Sequence, residues 1–355
     1  KVKRTAPWTY LGMKIHDQTI VPQQIKIMDN PRNLAELHQL CGQIEWIRPY
    51  LGVSTEALAP LFNLLKGKGD RDLSSPRILT PEVREAIKKV EFALETRQSH
   101  RFDPKLPFKL AVIGHMLHFS GLIHQWDESQ TDHLLIIEWV FLSNSPDKSI
   151  TTPQDRVARL VAKARSHLAT LAGWDFTCMY LPFSNDQLDE ILQNNVELQC
   201  ALDSYSGQTS CHYPQHKVFG LEMKIVRDPV QSKEPLKALT LFTDGSGKSG
   251  KSVIAWQDPS ILKWESDVER VSGSPQVAEL AAVVRAFDRF REPFNLVTDS
   301  AYVAGVVSRA ENAWVSEHGN SKIRALLVKL VELISHRKQP YYVLHVRSHT
   351  NHPGF

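Results

Sequence analysis

A short glycine- and lysine-rich run between two apolar stretches constrains this chain more than any other feature. The run Gly-Ser-Gly-Lys-Ser-Gly-Lys-Ser at 245–252 matches the loop G-x-x-x-x-G-K-[ST] that cradles phosphates. That loop needs a helix after it, because the helix N-terminus helps to hold the phosphates. Here Val-Ile-Ala-Trp follows and Pro259 ends the run, a composition that favours a strand. We therefore predict a β-hairpin with strands at 236–243 and 251–257, and keep a nucleotide-binding loop as the alternative.

The residues after this hairpin predict a mixed α/β fold, because strand-like and helix-like periodicities alternate. The expected elements are a strand near 261–268, a helix at 274–289, a strand at 294–298, a helix from Ser300, a helix at 321–336 and a strand at 341–346.

The residues before the hairpin predict further strands and helices. The expected elements are strands within 1–20, a helix that starts at Asn30-Pro31 and ends at Pro49, helices at 55–65 and from Thr80, strands at 108–116, 121–126 and 134–142, and helices from Pro153 and at 184–198. The residues around 66–70 and 228–235 read as linkers.

The helix from Pro153 is strongly amphipathic. We expect its apolar side, which includes Leu171, to be buried. The opposite side carries Arg156, Arg159 and Lys163 at spacings of three and four residues. This basic side is either a solvated helix face or a stripe that contacts phosphates.

Composition narrows the class of protein. The net charge of +3 neither demands nor excludes a nucleic-acid partner. The four cysteines are scattered, which argues against a disulfide framework or a zinc site and favours a reducing compartment. We expect no membrane segment and no secretion, because the longest apolar runs are short and no signal peptide is present. The start at Lys1 indicates a piece of a longer protein.

Three acids occupy positions that point to chemistry. Asp244 ends the first hairpin strand, Glu279 lies early in the next helix, and Asp299 ends the strand that follows. Carboxylates brought together repel each other unless a hard cation such as Mg²⁺ neutralises them. Each acid also has an ordinary explanation, as a turn residue, a surface residue or a helix cap, so the spacing leaves a joint metal site and three separate roles open.

The motifs around these acids resemble those of ribonuclease H. They are Thr-Asp-Gly-Ser at 243–246, Ser-x-Gln-x-x-Glu-Leu at 274–280 and Thr-Asp-Ser-x-Tyr at 298–302. The acids are 35 and 20 residues apart, as in retroviral ribonuclease H domains, and Val-Arg-Ser-His-Thr-Asn at 346–351 resembles the histidine loop of that family.

The resemblance extends upstream and covers nearly the whole chain. Trp-Thr-Tyr-Leu-Gly-Met-Lys-Ile at 8–15 is similar to the end of a reverse-transcriptase palm, and Gln-Leu-Cys-Gly-Gln-Ile-Glu-Trp at 39–46 to a thumb helix. Gly-Trp-Asp at 173–175 and His-Tyr-Pro at 212–214 resemble the connection domain of betaretrovirus-like endogenous Pol proteins. The implied domains are a palm end at 1–20, a helical thumb at 21–79, an α/β connection domain at 80–230, and at 236–355 a ribonuclease H domain truncated at its C-terminus, with a mixed five-stranded sheet and flanking helices.

The resemblance implies a role for each site residue. Asp244, Glu279 and Asp299 would hold two Mg²⁺ ions, for which Mn²⁺ could substitute, and His349 would assist proton transfer or product release. Nucleic-acid contacts are implied for Gly42, Trp46, Ser246, Ser274, Gln276 and Tyr302. Ser274 and Gln276 would lie in the minor groove of an RNA/DNA hybrid, and Gly42 and Trp46 on the template–primer duplex. The implied reaction is endonucleolytic cleavage of the RNA strand.

The resemblance also implies that some functional parts of the family lie outside this chain. The family's fourth metal acid follows the histidine loop, beyond Phe355, so we expect the site in this chain to be one carboxylate short and its activity to be uncertain. The polymerase site belongs to the fingers and palm, which would be partners, and a homo- or heterodimer is possible. A cytoplasmic or virion-associated location is implied. The alternative is a catalytically impaired structural or nucleic-acid-binding subunit.

Overall fold

The structure is a computed structural model whose chain divides into two compact units. It describes residues 4–22, 30–66, 72–115, 118–143, 148–220, 229–247, 249–317 and 319–347. The first unit contains Lys1–Asn144 with Gln154–Val226, and the second contains Ser145–Pro153 with Arg227–Phe355. The predicted α/β fold class is confirmed, because helices and mixed sheets alternate along the chain. Within the described ranges, no helix has both the length and the apolar character needed to cross a bilayer.

The first unit begins with short strands and a helical cluster. Its first elements are β1 (Trp8–Tyr10), β2 (Met13–Ile15), β3 (Thr19–Pro22), α1 (Leu34–Leu51), α2 (Thr55–Asn63), α3 (Pro81–Thr96) and β4 (Ser99–His100). The four strands form an antiparallel sheet in the order β1-β2-β3-β4. Apolar side chains at helical spacing on α1, such as Leu37 and Ile44, are fully buried in one core with side chains of α2 and α3.

Both ends of α1 differ from the prediction. The N-cap is Asn33, whose side chain accepts an amide of the first turn, and not Asn30. Pro49 lies inside the last turn, and the helix ends at Gly52, whose φ is 63°. A proline removes one amide donor, but this loss near the end of a helix is tolerated. The left-handed glycine is the stronger stop, because it satisfies the final carbonyls at little steric cost.

A five-stranded mixed sheet completes the first unit. The next elements are β5 (Lys109–His115), β6 (His118–Trp126), β7 (Leu134–Phe141), β8 (Ile150–Thr151), α4 (Pro153–Ala172), β9 (Cys178–Tyr180), α5 (Asn185–Asn194), α6 (Val196–Ala201) and β10 (Gln208–Ser210). The sheet has the order β10-β9-β5-β6-β7, and β8 belongs to the second unit. The β5-β6-β7 meander is antiparallel, whereas β9 and β10 run parallel to β5.

The basic side of α4 is only partly solvated, because Arg156 is buried and Arg159 is half-buried, whereas Lys163 is exposed. Arg156 is only 4% exposed. Arg159 pairs with Glu197 at 3.4 Å, and the ammonium group of Lys163 donates to the carbonyl of Phe141 at 2.6 Å. The expectation of a buried Leu171 was also wrong, since 37% of this residue is exposed.

The predicted helix at 184–198 is two helices. Asn195 separates α5 from α6 with an extended backbone, at φ −105° and ψ 100°. Its side chain caps α6 by accepting the Leu198 amide at 2.8 Å, and it also donates to Asp155 at 3.1 Å. An asparagine favours such a break because its side chain satisfies the amides that a new helix exposes.

The second unit repeats the strand order of the first. Its further elements are β11 (Leu239–Ser246), β12 (Lys251–Gln257), β13 (Trp264–Arg270), α7 (Pro275–Arg289), β14 (Phe294–Thr298), α8 (Ala301–Val307), β15 (Trp314–Val315), α9 (Ser321–Ser335) and β16 (Tyr341–His345). The order β13-β12-β11-β14-β16 joins an antiparallel meander to two parallel strands, as in the first unit. The hairpin prediction is confirmed, and α7, α8 and α9 pack their apolar sides on this sheet.

A short separate ladder also belongs to the second unit. The strand β8 pairs antiparallel with β15, with Ile150 opposite Val315 and Thr151 opposite Trp314. The second unit thus includes a segment that lies between β7 and α4 in the chain.

Candidate active site

Asp244 and Asp299 lie side by side at one edge of the second sheet. β11 and β14 are parallel, and their last paired residues are Thr243 and Thr298. Each aspartate directly follows one of these threonines. Because the carboxyl ends of parallel strands meet at the same edge, the fold itself brings the two acids together.

Gly245 allows Glu279 to join them. A Cβ atom at Gly245 would lie only 2.3 Å from the backbone nitrogen of Glu279, so α7 passes β11 at a distance that excludes any side chain there. The buried hydroxyl of Ser252, on the next strand, donates to the carbonyl of Ala278 at 2.6 Å and holds the same turn of α7. The backbone of the helix is therefore fixed beside Asp244.

The electrostatics of Glu279 show that the three acids interact. Burial raises the pKa of this half-buried carboxyl above its usual range, and the charges of Asp299 and Asp244 raise it further. A hydrogen bond from Ser300 opposes the rise. Like charges this close disfavour full ionisation of the set.

The contact of Ser300 with Glu279 was not predicted from the sequence. Its hydroxyl donates to Oε2 of Glu279 at 2.6 Å and accepts the amide of Val303 at 3.3 Å, as the N-cap of α8. The Thr-Asp-Ser pattern at the start of a helix indicates the cap, but the bond to Glu279 spans 21 residues and leaves no local pattern. His345 also lies beside the acids, because its Nε2 is 3.1 Å from the carbonyl oxygen of Asp299.

The acids match a hard divalent cation in donor type, since such ions prefer carboxylate oxygens. One oxygen of Glu279 is engaged by Ser300, and Oδ1 of the exposed Asp244 accepts the Gly245 amide at 2.6 Å. Across the described ranges, no set of three or more His, Cys, Asp or Glu side chains is arranged so that it could hold a metal ion.

The residues expected to contact a hybrid surround this edge. Ser274 and Gln276 are exposed at the first turn of α7, and the Ser274 hydroxyl does not cap that helix. Ser246, at the end of β11, is half-buried. Tyr302 packs partly into the core, and burial raises its pKa. His349 lies outside the described residues.

Gly42 and Trp46 share an exposed face of α1 in the first unit. A Cβ atom at Gly42 would meet no described atom within 4 Å, and half of Trp46 is exposed. The Trp46 indole donates to the carbonyl of Leu11 at 3.1 Å, which fixes the ring on the helix surface. The structure thus brings these two residues together, as their spacing of four predicts.

The first sheet carries apolar residues where the second carries the acids. Val112 and Leu181 follow the last residues paired between β5 and β9, as Asp244 and Asp299 do between β11 and β14. Val157 lies four residues after the first residue of α4, as Glu279 does in α7. Val112, Val157 and Leu181 are fully buried in one core. The acidic site is therefore confined to the second of two sheets with the same strand order.

The nucleotide-binding loop is excluded. The residues after the glycine run form β12, whose first residue Lys251 pairs with Ser246 and Arg270. A strand in this place offers no helix N-terminus to a phosphate.

Comparisons with known proteins match three separate parts of the chain to three families. Residues 22–88 match the family "Reverse transcriptase thumb domain", residues 118–219 match "ERVK-8-like, RNaseH-like domain" and residues 236–354 match "RNase H". Over its whole length the chain is 32% identical to the Gag-Pro-Pol polyprotein of mouse mammary tumor virus and 32% identical to that of Mason-Pfizer monkey virus. It is 31% identical to the Gag-Pro-Pol polyprotein of squirrel monkey retrovirus.

The chain spans about a fifth, 19%, of the length of each of these polyproteins. The matched ranges cover the whole second sheet, four of the five strands of the first sheet and most of the helical cluster of the first unit. The chain therefore contains a reverse transcriptase thumb domain and a ribonuclease H domain, and over its whole length it is similar to a part of betaretroviral Gag-Pro-Pol polyproteins.

Proposed function

We propose that the second unit cleaves the RNA strand of RNA/DNA hybrids endonucleolytically. The observation that carries this proposal is the meeting of Asp244, Glu279 and Asp299, where burial and then the charges of the two aspartates raise the pKa of Glu279. A cluster of carboxylates that is held together against its own repulsion is typical of a cation-dependent phosphodiesterase site.

Ribonuclease H domains are generally dependent on divalent metal ions. In this proposal Asp244, Glu279 and Asp299 would hold two Mg²⁺ ions, for which Mn²⁺ could substitute. The bound ions would supply an activated water and stabilise the leaving oxygen. Ser300 holds one oxygen of Glu279 in place, and His349 assists proton transfer or product release.

The substrate would lie across the edge that carries Ser246, Ser274 and Gln276. The exposed hydroxyl and amide of Ser274 and Gln276 suit the minor groove of a hybrid, where 2′-hydroxyl groups distinguish RNA from DNA. Tyr302 would support the DNA strand. In the thumb, Gly42 and the flat face of Trp46 would contact a template–primer duplex, because an exposed glycine allows close approach to the backbone.

The wider setting follows from the family. The domain boundaries 1–20, 21–79, 80–230 and 236–355 are proposed as given above. The fingers and the rest of the palm of a reverse transcriptase would be partners, a homo- or heterodimer is compatible with this role, and the proposed location is the cytoplasm or the virion.

The test is cleavage of a labelled RNA/DNA hybrid by the full chain in Mg²⁺, with hybrid affinity measured separately. We expect Asp299→Asn to abolish cleavage and to leave the fold and most of the affinity intact. The matched control is Asp258→Asn, which changes an exposed turn beyond the far end of β12. Failure of the folded wild-type chain to cleave at high concentration would contradict the proposal.

A second candidate is a non-catalytic subunit that binds nucleic acid. It is favoured by the lack of a metal-holding arrangement among the described side chains. It predicts hybrid binding without cleavage, with an affinity that Asp244→Asn does not change and that Mg²⁺ does not alter.

A further inference from the structure

The segment between β7 and α4 has an unusual length for its place in the fold. The corresponding connection in the second unit, from β13 to α7, takes four residues, 271–274. The connection from β7 to α4 takes eleven, 142–152. Both connections join equivalent elements of sheets with the same strand order, and short connections are the norm. The extra residues therefore call for an explanation of their own.

These extra residues form a strand of the second unit. Ile150 and Thr151 pair antiparallel with Val315 and Trp314, and the Ser316 amide donates to the carbonyl of Ser149 at 3.0 Å. The chain leaves the first unit after residue 144 and returns to it at 154.

The added strand is part of the core and not a surface attachment. Ile150 is 3% exposed and Thr151 is fully buried. Ile150 belongs to the same core as Leu241, Leu296 and Tyr341 of the central sheet. Removing a side chain from such a core leaves a cavity that the surrounding residues fill only in part.

The accepting strand β15 lies in the connection between α8 and α9. This connection, 308–320, follows the C-terminal end of α8 and precedes the N-terminal end of α9. Ser300, the partner of Glu279, caps the opposite end of α8, and Lys322 in the first turn of α9 donates to the carbonyl and the hydroxyl of Ser272 at 2.9 Å. Anchoring this connection restrains the C-terminal end of α8 and the end of α9 that contacts Ser272.

We propose that β15 is an acceptor surface for the extended segment 148–152, and that the ribonuclease H unit depends on this donated strand for its stability and its activity. The functional unit is thus discontinuous in the sequence. The strand β15 binds the segment 148–152 through a short antiparallel ladder and the buried side chain of Ile150. Extended peptides add to the edge of a sheet in the same way. The claim about stability holds or fails independently of the proposed reaction, whereas the claim about activity rests on the proposed function.

The main test compares Ile150→Asp with Ile261→Asp in the full chain. The control makes the same substitution at an isoleucine that is 55% exposed. We expect Ile150→Asp to lower the Tm of the second unit by about 10 °C, because a charge replaces a buried isoleucine, and Ile261→Asp to change it by less than about 2 °C. Hydrogen exchange of the Ser316 amide should accelerate at least about tenfold in Ile150→Asp alone.

Equal melting and equal protection of Ser316 in the two variants would overturn the proposal. If Ile150→Asp does not fold, a double variant keeps the question open to measurement. Thr151→Cys with Trp314→Cys places two thiols at directly opposed positions of the ladder, within the reach of a disulfide. We expect the cross-link to form under mild oxidation and to raise the Tm, whereas absence of the cross-link in the folded variant would contradict the pairing.

Hybrid cleavage separates this proposal from the proposed function. If the wild-type chain cleaves, we expect Ile150→Asp to lose at least about tenfold in rate at a temperature where the first unit remains folded. If the wild-type chain does not cleave, the melting and exchange measurements still decide whether the strand is needed. Normal cleavage by an Ile150→Asp chain with unprotected Ser316 would remove the claim about activity and leave that about stability.

Discussion

The hydroxyl of Ser300 donates a 2.6 Å hydrogen bond to Oε2 of Glu279 while it accepts the amide of Val303. One side chain thus sets both the start of α8 and the position of a candidate catalytic carboxylate. A hydroxyl has a single hydrogen to donate, and here it goes to the acid.

Replacing Ser300 should therefore affect cleavage more than stability. Ser300→Ala removes a hydrogen bond to a charged group, and we expect hybrid cleavage to fall by roughly 10- to 100-fold. The lost cap should lower the free energy of unfolding by about 1 kcal/mol. Ser300→Thr keeps the hydroxyl and should restore most of the rate. An equal loss in Ser308→Ala, at the other end of α8, would show that only the helix matters.

A methyl group at Gly245 should disrupt the approach of α7 to β11. Because the new Cβ would lie 2.3 Å from the nitrogen of Glu279, we expect Gly245→Ala to cost about 1–3 kcal/mol in the free energy of unfolding. Cleavage should fall at least about tenfold, since Glu279 moves with the helix. Gly305→Ala is the control, because space is open around that helical glycine, and it should be neutral or stabilising. Denaturant melts and single-turnover rates check both variants.

Lys322 should act on substrate binding rather than on the chemical step. It holds Ser272, two residues before Ser274, through two bonds of 2.9 Å. We expect Lys322→Met to raise KM by roughly 3- to 10-fold with little change in kcat, as for the loss of uniform binding. Lys329→Met removes a lysine of the same helix that pairs with Asp288. Steady-state kinetics should show the KM effect in the first variant, and the same effect in the second would point to charge alone.

The first unit should lose stability in mild acid. Burial is the main reason that the pKa of His124 falls from 6.5 to about 4. A bond to the Leu122 carbonyl opposes this shift, and the charges of Lys109 and His216 contribute to it. The unfolded chain therefore binds the proton first as pH falls below about 6.5. The resulting loss of stability should grow to about 3 kcal/mol near pH 4.

Melting the wild-type chain and His124→Phe at pH 7 and pH 5 checks this prediction. The variant keeps an aromatic ring beside Tyr180 and Phe219 and should flatten the pH dependence of the first unit. His38→Phe, at an exposed position, should retain it. An unchanged slope in His124→Phe would assign the acid sensitivity to other groups.

The sequence predicted those parts of the fold that depend on local pattern. Apolar runs located β5, β6 and β7 of the first sheet and all five strands of the second, but not β9 and β10. The spacing of Asp244, Glu279 and Asp299 left their meeting open, and the resemblance to ribonuclease H implied it. The structure adds the pairing of β11 with β14, which makes two of the acids neighbours.

What the sequence did not predict depends on contacts between distant residues. The bond from Ser300 to Glu279 and the pairing of Ile150 with Val315 have no local pattern. Arg156 appeared solvated from helical periodicity alone, which records the angle around the helix and not what covers that face. Pro49 does not end α1, because the glycine three residues later is the stronger stop.

Although the two units share a strand order, we expect their stabilities to differ when divalent cations are absent. At equivalent places the first unit has hydrocarbon, in Val112, Val157 and Leu181, where the second has three mutually repelling carboxylates. The same position in the fold thus stabilises the first unit by hydrophobic burial and destabilises the second by charge repulsion. When a chelator is present, we expect the second unit to unfold at a lower temperature than the first. The carboxylates proposed for catalysis therefore lower the stability of the unit that contains them.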